Sequence, residues 1–401
     1  MSASTKSFQT TTPIPSGGHG LAVLLLAISA FVIVTTEFII VGLLPALARD
    51  LDISISVAGL LVTLFAFTVM LFGPVLTAAL SHFERKRLFV VILLLFAGSN
   101  ALAAAAPDIW LLGLGRFVPA LALPVFWGTA SETAGELAGP EKAGKAVANV
   151  YLGISGAMVL GIPLGTLASD GLGWRGTFWG LSGLSLLMAA MLMAVMPTLA
   201  KPARVRLAEQ ARILRDPYFL GNVVLSVLVF TAMFTGYTYL ADTLERIAKI
   251  PSGDVGWWLM GFGIVGLGGN WLGGHFVGRD PLRVTFIAVL VLAIGVVAAT
   301  PLAGNHLWLA LALGVWGIAN TALYPICQVR VMQSATHAQA LAGTLNVSMA
   351  NAGIGLGAIL GGLVIKHLGL ENLGYVAAGI AVLAMLVVPL VARLKPKDAA
   401  G

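Results

Sequence analysis

The chain has 401 residues, of which 58% are hydrophobic and only 10% charged, against roughly 25% charged in soluble globular domains. With a mean hydropathy of +0.96 there are too few charges to cover a water-facing surface, so an ordinary soluble enzyme is excluded and the solvent is lipid. The net charge of +6, from 23 basic and 17 acidic residues, sits mostly in short loops, which argues against nucleic acid as a partner, and the single cysteine, Cys327, excludes an intramolecular disulfide and a cysteine-based metal cluster.

A bilayer-spanning helix needs about 20 consecutive, mostly apolar residues. In chain order such runs are predicted near 21–47, 56–80, 88–106, 109–132, 146–168 and 177–197, then near 218–241, 255–277, 284–302, 306–329, 340–365 and 373–394. Charged breaks separate them, among them Arg49 to Asp52, Glu84 to Arg87, Glu141 to Lys145 and Arg279 to Arg283. The expected organisation is a tail over 1–20, a six-helix bundle over 21–197, a polar linker over 198–217, a second six-helix bundle over 218–395 and a short tail over 396–401. The first long run is too extended for a signal peptide and carries Glu37.

If the N-terminus is cytoplasmic, 17 of the 23 Lys and Arg residues fall inside and five outside, with Arg116 within a span. This positive-inside bias places both termini and the linker in the cytoplasm. The halves also echo each other at an offset of about 195 residues. Glycine-rich span 5 (Gly153, Gly156, Gly161, Pro163, Gly165) corresponds to span 11 (Gly353, Gly355, Gly357, Gly361, Gly362). Duplicated six-helix halves around a central site point to a secondary transporter. No GxxxxGK[ST] loop is present, which leaves an ion gradient as the energy source unless transport is passive.

Several stretches carry a more specific resemblance: TTEFIIVGLLP at 35–45, GRFVPALALPVFWG at 115–128, GISGAMVLGIPLGT at 153–166, GWRGTFW at 173–179, GGNWLGGHFVGRDPLR at 268–283 and NVSMANAGIGLGAILGG at 346–362. Through all twelve spans the chain resembles the major facilitator superfamily, and more narrowly its drug/proton antiporter branch of sugar, nucleoside and multidrug efflux permeases. The resemblance implies an all-α cytoplasmic-membrane exporter driven by proton entry. Two positions depart from the family pattern. Ser81 and Gly278 stand where relatives carry an Asp before the basic loop clusters, so a cytoplasmic latch built from Arg85, Lys86, Arg87, Arg279 and Arg283 would draw on Glu84 or Asp280 instead.

Glu37 lies at membrane depth, about eight residues before Pro45, where an ionisable group marks an ion or substrate route or a costly structural bond. Arg116 lies at a similar depth in span 4 and remains charged, so Glu37 is the expected switching member of a proton-coupling pair; a static ion pair is the alternative. Glu132 is a candidate second relay. Trp127, three helical turns beyond Arg116, joins Phe234, Tyr237 and Tyr239 of span 7 and Trp316, Asn320 and Tyr324 of span 10 as candidate cavity residues, although aromatic stripes at helical spacing are often simply packing. Asn346 and Asn351 are expected to bond between helices. Gly161, Pro163, Gly165, Gly357 and Gly361 are expected to serve close helix packing, with Pro163 a kink.

The expectation is therefore a twelve-helix proton antiporter of the cytoplasmic membrane that exports small organic molecules, works as a monomer and needs no cofactor or metal. A facilitator or importer of the same fold is the alternative. An intramembrane enzyme is disfavoured because the six histidines (His19, His82, His275, His306, His337, His367) fall near loops or span ends.

Overall fold

The computed structural model describes residues 16–80, 82–139, 141–199, 211–278, 280–335 and 338–395, and every regular element among them is helical. Spans 1 to 4 are Ser16–Asp50, Ile55–Leu80, Arg85–Ala104 and Ile109–Ala138. Span 5 begins as Ala143–Gly156, widens into a π-helical turn over Ala157–Gly161 and continues into Ile162–Val195, which bends at Gly173 (φ 70°) to become span 6. Span 7 is Pro217–Tyr237 with a short continuation, Leu240–Arg246. Spans 8 to 12 are Ser252–Phe276, Pro281–Ala299, His306–Gln333, Gln339–His367 and Leu373–Arg393. Among the described residues the expected twelve-span order is present, with span 1 starting at Ser16, a little before its expected boundary. Residues 1–15 of the expected tail, Ser81, most of the linker (200–210), Arg279 and the tail 396–401 lie outside the described residues.

The charged breaks do structural work at helix starts. Glu84 accepts from the N–H groups of Lys86 and Arg87, both at 2.9 Å. Asp108 caps span 4 through Trp110 and Leu111, and Asp216 caps span 7 ahead of Pro217. Asp280 caps span 9 through Arg283, ahead of Pro281. Each carboxylate satisfies N–H groups that the first turn leaves unpaired and opposes the positive end of the helix dipole. Glu84 and Asp280, the acids expected to serve a latch in place of the missing Asp residues, are helix caps in this form.

Two kinds of apolar surface hold the molecule. One buried cluster runs through both halves, joining Ile39, Leu43 and Leu47 of span 1 to Val229 and Phe234 of span 7, Leu259 of span 8 and Ala358 of span 11. A second, with Leu25, Phe89 and Phe126, belongs to the N-terminal half alone. Leu186, Leu187, Ile294, Leu386 and Leu390 remain exposed; on membrane-length helices they face lipid.

The halves seal against each other toward the face opposite the termini. Ser56 Oγ donates to the Gly362 carbonyl at 2.8 Å, and Thr63 Oγ1 donates to the Gly355 carbonyl at 3.2 Å. Spans 5 and 8 meet where a Cβ on Gly263 would lie 2.9 Å from Val159 Cα, and one on Gly256 would lie 3.1 Å from the Pro163 carbonyl oxygen. At the rim, Arg49 bridges to Glu245 at 2.6 Å. On the terminal face the hydrogen bonds described below run within each half.

Candidate functional site

Arg116 is almost fully buried, and span 4 brings it against span 1. One guanidinium nitrogen donates to the Thr36 carbonyl, the other donates to the Glu37 carbonyl at 2.6 Å, and the cation lies 4.5 Å from the centroid of the Phe65 ring on span 2. Helix carbonyls keep a second lone pair after serving the helix, so the planar fork can take two in succession. Close approach of spans 3 and 4 comes from Gly115, whose Cβ would lie 3.0 Å from the Ser99 carbonyl oxygen. Asn100 adds a bond of 3.1 Å to Thr36 Oγ1.

Glu37 and Arg116 therefore meet, but through the backbone. Among the described residues the Glu37 carboxylate forms no hydrogen bond and no ion pair. This corrects the expected side-chain pairing: the guanidinium is aimed at the turn that carries Glu37, and the carboxylate is turned into a pocket between the halves. That pocket, about 10 Å³ or room for one water molecule, is lined by Glu37, Phe38, Phe65 and Arg116 from one half and by Asn351 and Ile354 from the other.

Beside it lies a run of rings. Phe38 sits 6.0 Å from Phe234, Phe234 5.6 Å from Tyr237, Tyr237 stacks on Phe262 at 5.5 Å, and Phe262 meets Trp316 edge-on at 5.6 Å. Tyr324 packs edge-on against Phe230 at 5.1 Å. Within this region Trp316 Nε1, Asn320 Oδ1, Tyr324 Oη and Asn351 Oδ1 are buried without hydrogen-bond partners. Such groups are expensive to bury unsatisfied, and beside apolar rings they suit a small ligand with both apolar and polar faces.

Five of the candidate cavity residues (Phe234, Tyr237, Trp316, Asn320, Tyr324) thus belong to this central region. Two do not. Tyr239 donates to the Ala358 carbonyl at 2.7 Å and sits against Gly59 and Gly361, so it belongs to the seal between helices. Trp127 makes its ring contacts with Phe126 and Tyr151, both of the N-terminal half. Phe38, Phe65, Phe262 and Asn351 are site residues that sequence reasoning did not select. Asn351 was expected to bond between helices, yet its amide donates to Val347 of its own helix at 3.1 Å. Asn346 does bridge helices, donating to Gln328 Oε1 at 2.7 Å.

On the terminal face the basic loop residues separate. Arg85 is buried and bonded to Glu132 at 2.6 Å, whereas Arg87 and Arg283 are exposed; Lys86 contributes its backbone N–H to the Glu84 cap. In the other half Arg330 is buried with Thr285 Oγ1 at 3.0 Å, Ser226 Oγ at 2.8 Å and the Asn222 carbonyl at 3.1 Å. Glu132 is thus the counter-ion of a buried arginine. Glu132→Gln is expected to cost about 1–2 kcal/mol, reduced by the exposure of the carboxylate, and to lower the melting temperature in lipid without changing the pH dependence of transport. The packing glycines all sit at close approaches: added Cβ atoms would fall 2.0 Å from Thr35 Oγ1 (Gly161), 2.1 Å from Ile39 Cδ1 (Gly165), 2.8 Å from the Thr231 carbonyl oxygen (Gly357) and 2.6 Å from the Tyr239 ring (Gly361). Pro163 stands just beyond the π-helical turn, after Ile162.

Two packed six-helix halves with a shared central pocket and a seal on one face define a membrane transporter. The family model of the Major Facilitator Superfamily matches residues 26–335 and 242–401, and the chain belongs to that superfamily. It is 35% identical to the inner membrane transport protein YdhP of Escherichia coli (strain K12) over 93% of this chain and 96% of that one. It is 32% identical to a protein named probable sugar efflux transporter of Helicobacter acinonychis, over 91% and 93% of the two chains. Its fold is similar to an inward-facing, occupied bacterial homolog of the human lysosomal transporter Spinster, with a TM-score of 0.81, 15% identity and coverage of 94% and 98%. The protein is a multi-pass membrane transporter, not an enzyme.

Proposed function

We propose that the protein exports small organic molecules, with sugars the first class to test and nucleosides or drugs the others, in exchange for protons. The observation that carries this reading is the unpartnered carboxylate of Glu37 in the pocket between the halves. A carboxylate at membrane depth that no cation neutralises directly is suited to bind and release a proton as its surroundings change. Arg116, held on backbone carbonyls, keeps a fixed positive charge nearby. The aromatic run and its unpaired polar atoms supply the ring faces and hydrogen bonds that a sugar or nucleoside uses, and a relative named as a sugar efflux transporter supports that class.

Both termini and the linker are assigned to the cytoplasm on the Lys and Arg bias. A form sealed at the opposite face then receives its substrate from inside, and alternating access delivers it outside. Each chain carries a whole central pocket and works as a monomer. The test is proton flux in proteoliposomes under an imposed pH gradient with sugars, nucleosides and drugs. A compound that releases protons while moving against its gradient supports antiport, and compound-dependent flux without proton movement replaces it with a facilitator.

A further inference from the structure

Two groups at the centre of the molecule lack partners, and they belong to opposite halves. Arg116 commits both terminal nitrogens to backbone carbonyls, which leaves the Glu37 carboxylate without a hydrogen bond. Across the interface, Tyr324 Oη is buried and has none either. The phenol ring is held in place by Phe230 at 5.1 Å, and one turn along span 7 Phe234 meets Phe38, the residue after Glu37. Tyr324 is near enough to interact electrostatically with both Glu37 and Tyr237. Arg116 of span 4 is the charged group that shares the Glu37 pocket, with neutral Asn351 of span 11; Tyr324 of span 10 and Tyr237 of span 7 are the titratable groups of the adjoining ring cluster.

We propose that Tyr324 is a positioning residue for the proton switch: its hydroxyl donates to the Glu37 carboxylate when that group is ionised and releases it when it is protonated. An ionised carboxylate is the stronger acceptor, because charge-assisted hydrogen bonds exceed neutral ones. The bond joins the halves, so span 10 responds to the proton on span 1. Span 10 can yield at that point. Pro325 follows Tyr324 inside the helix, and a proline there lacks the N–H that the Thr321 carbonyl would otherwise accept. The inference rests on Glu37 being the coupling acid.

The experiment is an infrared titration of the full-length protein in lipid vesicles, with the carboxyl band that disappears in Glu37→Gln assigned to Glu37. Tyr324→Phe keeps the ring against Phe230 and removes only the hydroxyl. It is expected to move the midpoint of that band by about one pH unit, while Tyr237→Phe leaves it in place. A midpoint unchanged in Tyr324→Phe, or moved equally by both variants, overturns the role of Tyr324. A band that does not titrate even in the wild type removes Glu37 as the coupling acid, and this proposal with it. The readout is proton binding, so it does not depend on which substrate is carried.

Discussion

Replacing Glu37 with glutamine is expected to reduce export driven by a pH gradient at least tenfold while leaving the protein folded and inserted. The fold should survive because the contacts that bind span 4 to span 1 use the carbonyls of Thr36 and Glu37, which the substitution leaves untouched. The side chain has no hydrogen bond to lose, and an uncharged amide is easier to bury than a carboxylate. What disappears is the one group in the pocket that can change charge. Exchange of labelled for unlabelled compound, which needs no net proton movement, should persist and lose its dependence on pH. The measurement is counterflow and gradient-driven flux in the same vesicles. Export equal to wild type would make Glu37 a structural residue and return the facilitator reading.

The second large effect is expected at the joint between spans 5 and 8. Gly263 faces the Val159 backbone, where a Cβ would lie 2.9 Å from Cα and 3.2 Å from the Met158 carbonyl oxygen. Backbone on both sides cannot turn aside as a side chain can. Gly263→Val should therefore push the halves apart at this seal and leave each half packed. Overpacking costs about 1–3 kcal/mol, a shift of about 5- to 150-fold away from the sealed form. A cysteine at Ser56, in a background with Cys327→Ser, reads the change as faster labelling from the face opposite the termini, and export should fall in parallel. Labelling as slow as in the parent would mean that span 5 yields locally and that the joint does not set the equilibrium.

These expectations show where sequence reasoning reached and where it stopped. Apolar run length and charged breaks locate the spans because the bilayer dictates length and excludes charge, and the breaks turn out to be helix caps as well. Depth alone brought Glu37 and Arg116 together, since both lie at similar distances along their helices. Depth does not say how a side chain turns. The guanidinium took backbone carbonyls and left the carboxylate free, a choice set by the rotation of span 4 against span 1. Tyr239 could not be placed from helical spacing because the helix ends at Tyr237; it lies in the turn before Leu240–Arg246, and its hydroxyl donates to the Ala358 carbonyl of span 11. Asn351 was hard to place because an asparagine in an apolar helix has the same appearance whether it bonds a neighbour or lines a pocket.

The wide turn over Ala157–Gly161 gives span 5 a sensitivity to length that composition does not reveal. Its backbone at Met158 and Val159 faces Gly263 of the other half, while Gly161 and Gly165 just beyond it face Thr35 and Ile39 of span 1. One helix thus presents two differently phased faces, and the extra residue in the turn sets the offset between them. Winding these same residues as a regular α-helix would rotate everything downstream by about 100°. The glycines would leave span 1 and larger side chains would take their places. One more residue at this turn, without further widening, would uncouple the contact between halves from the packing within one, whereas losing a residue together with the widening would leave both faces in phase.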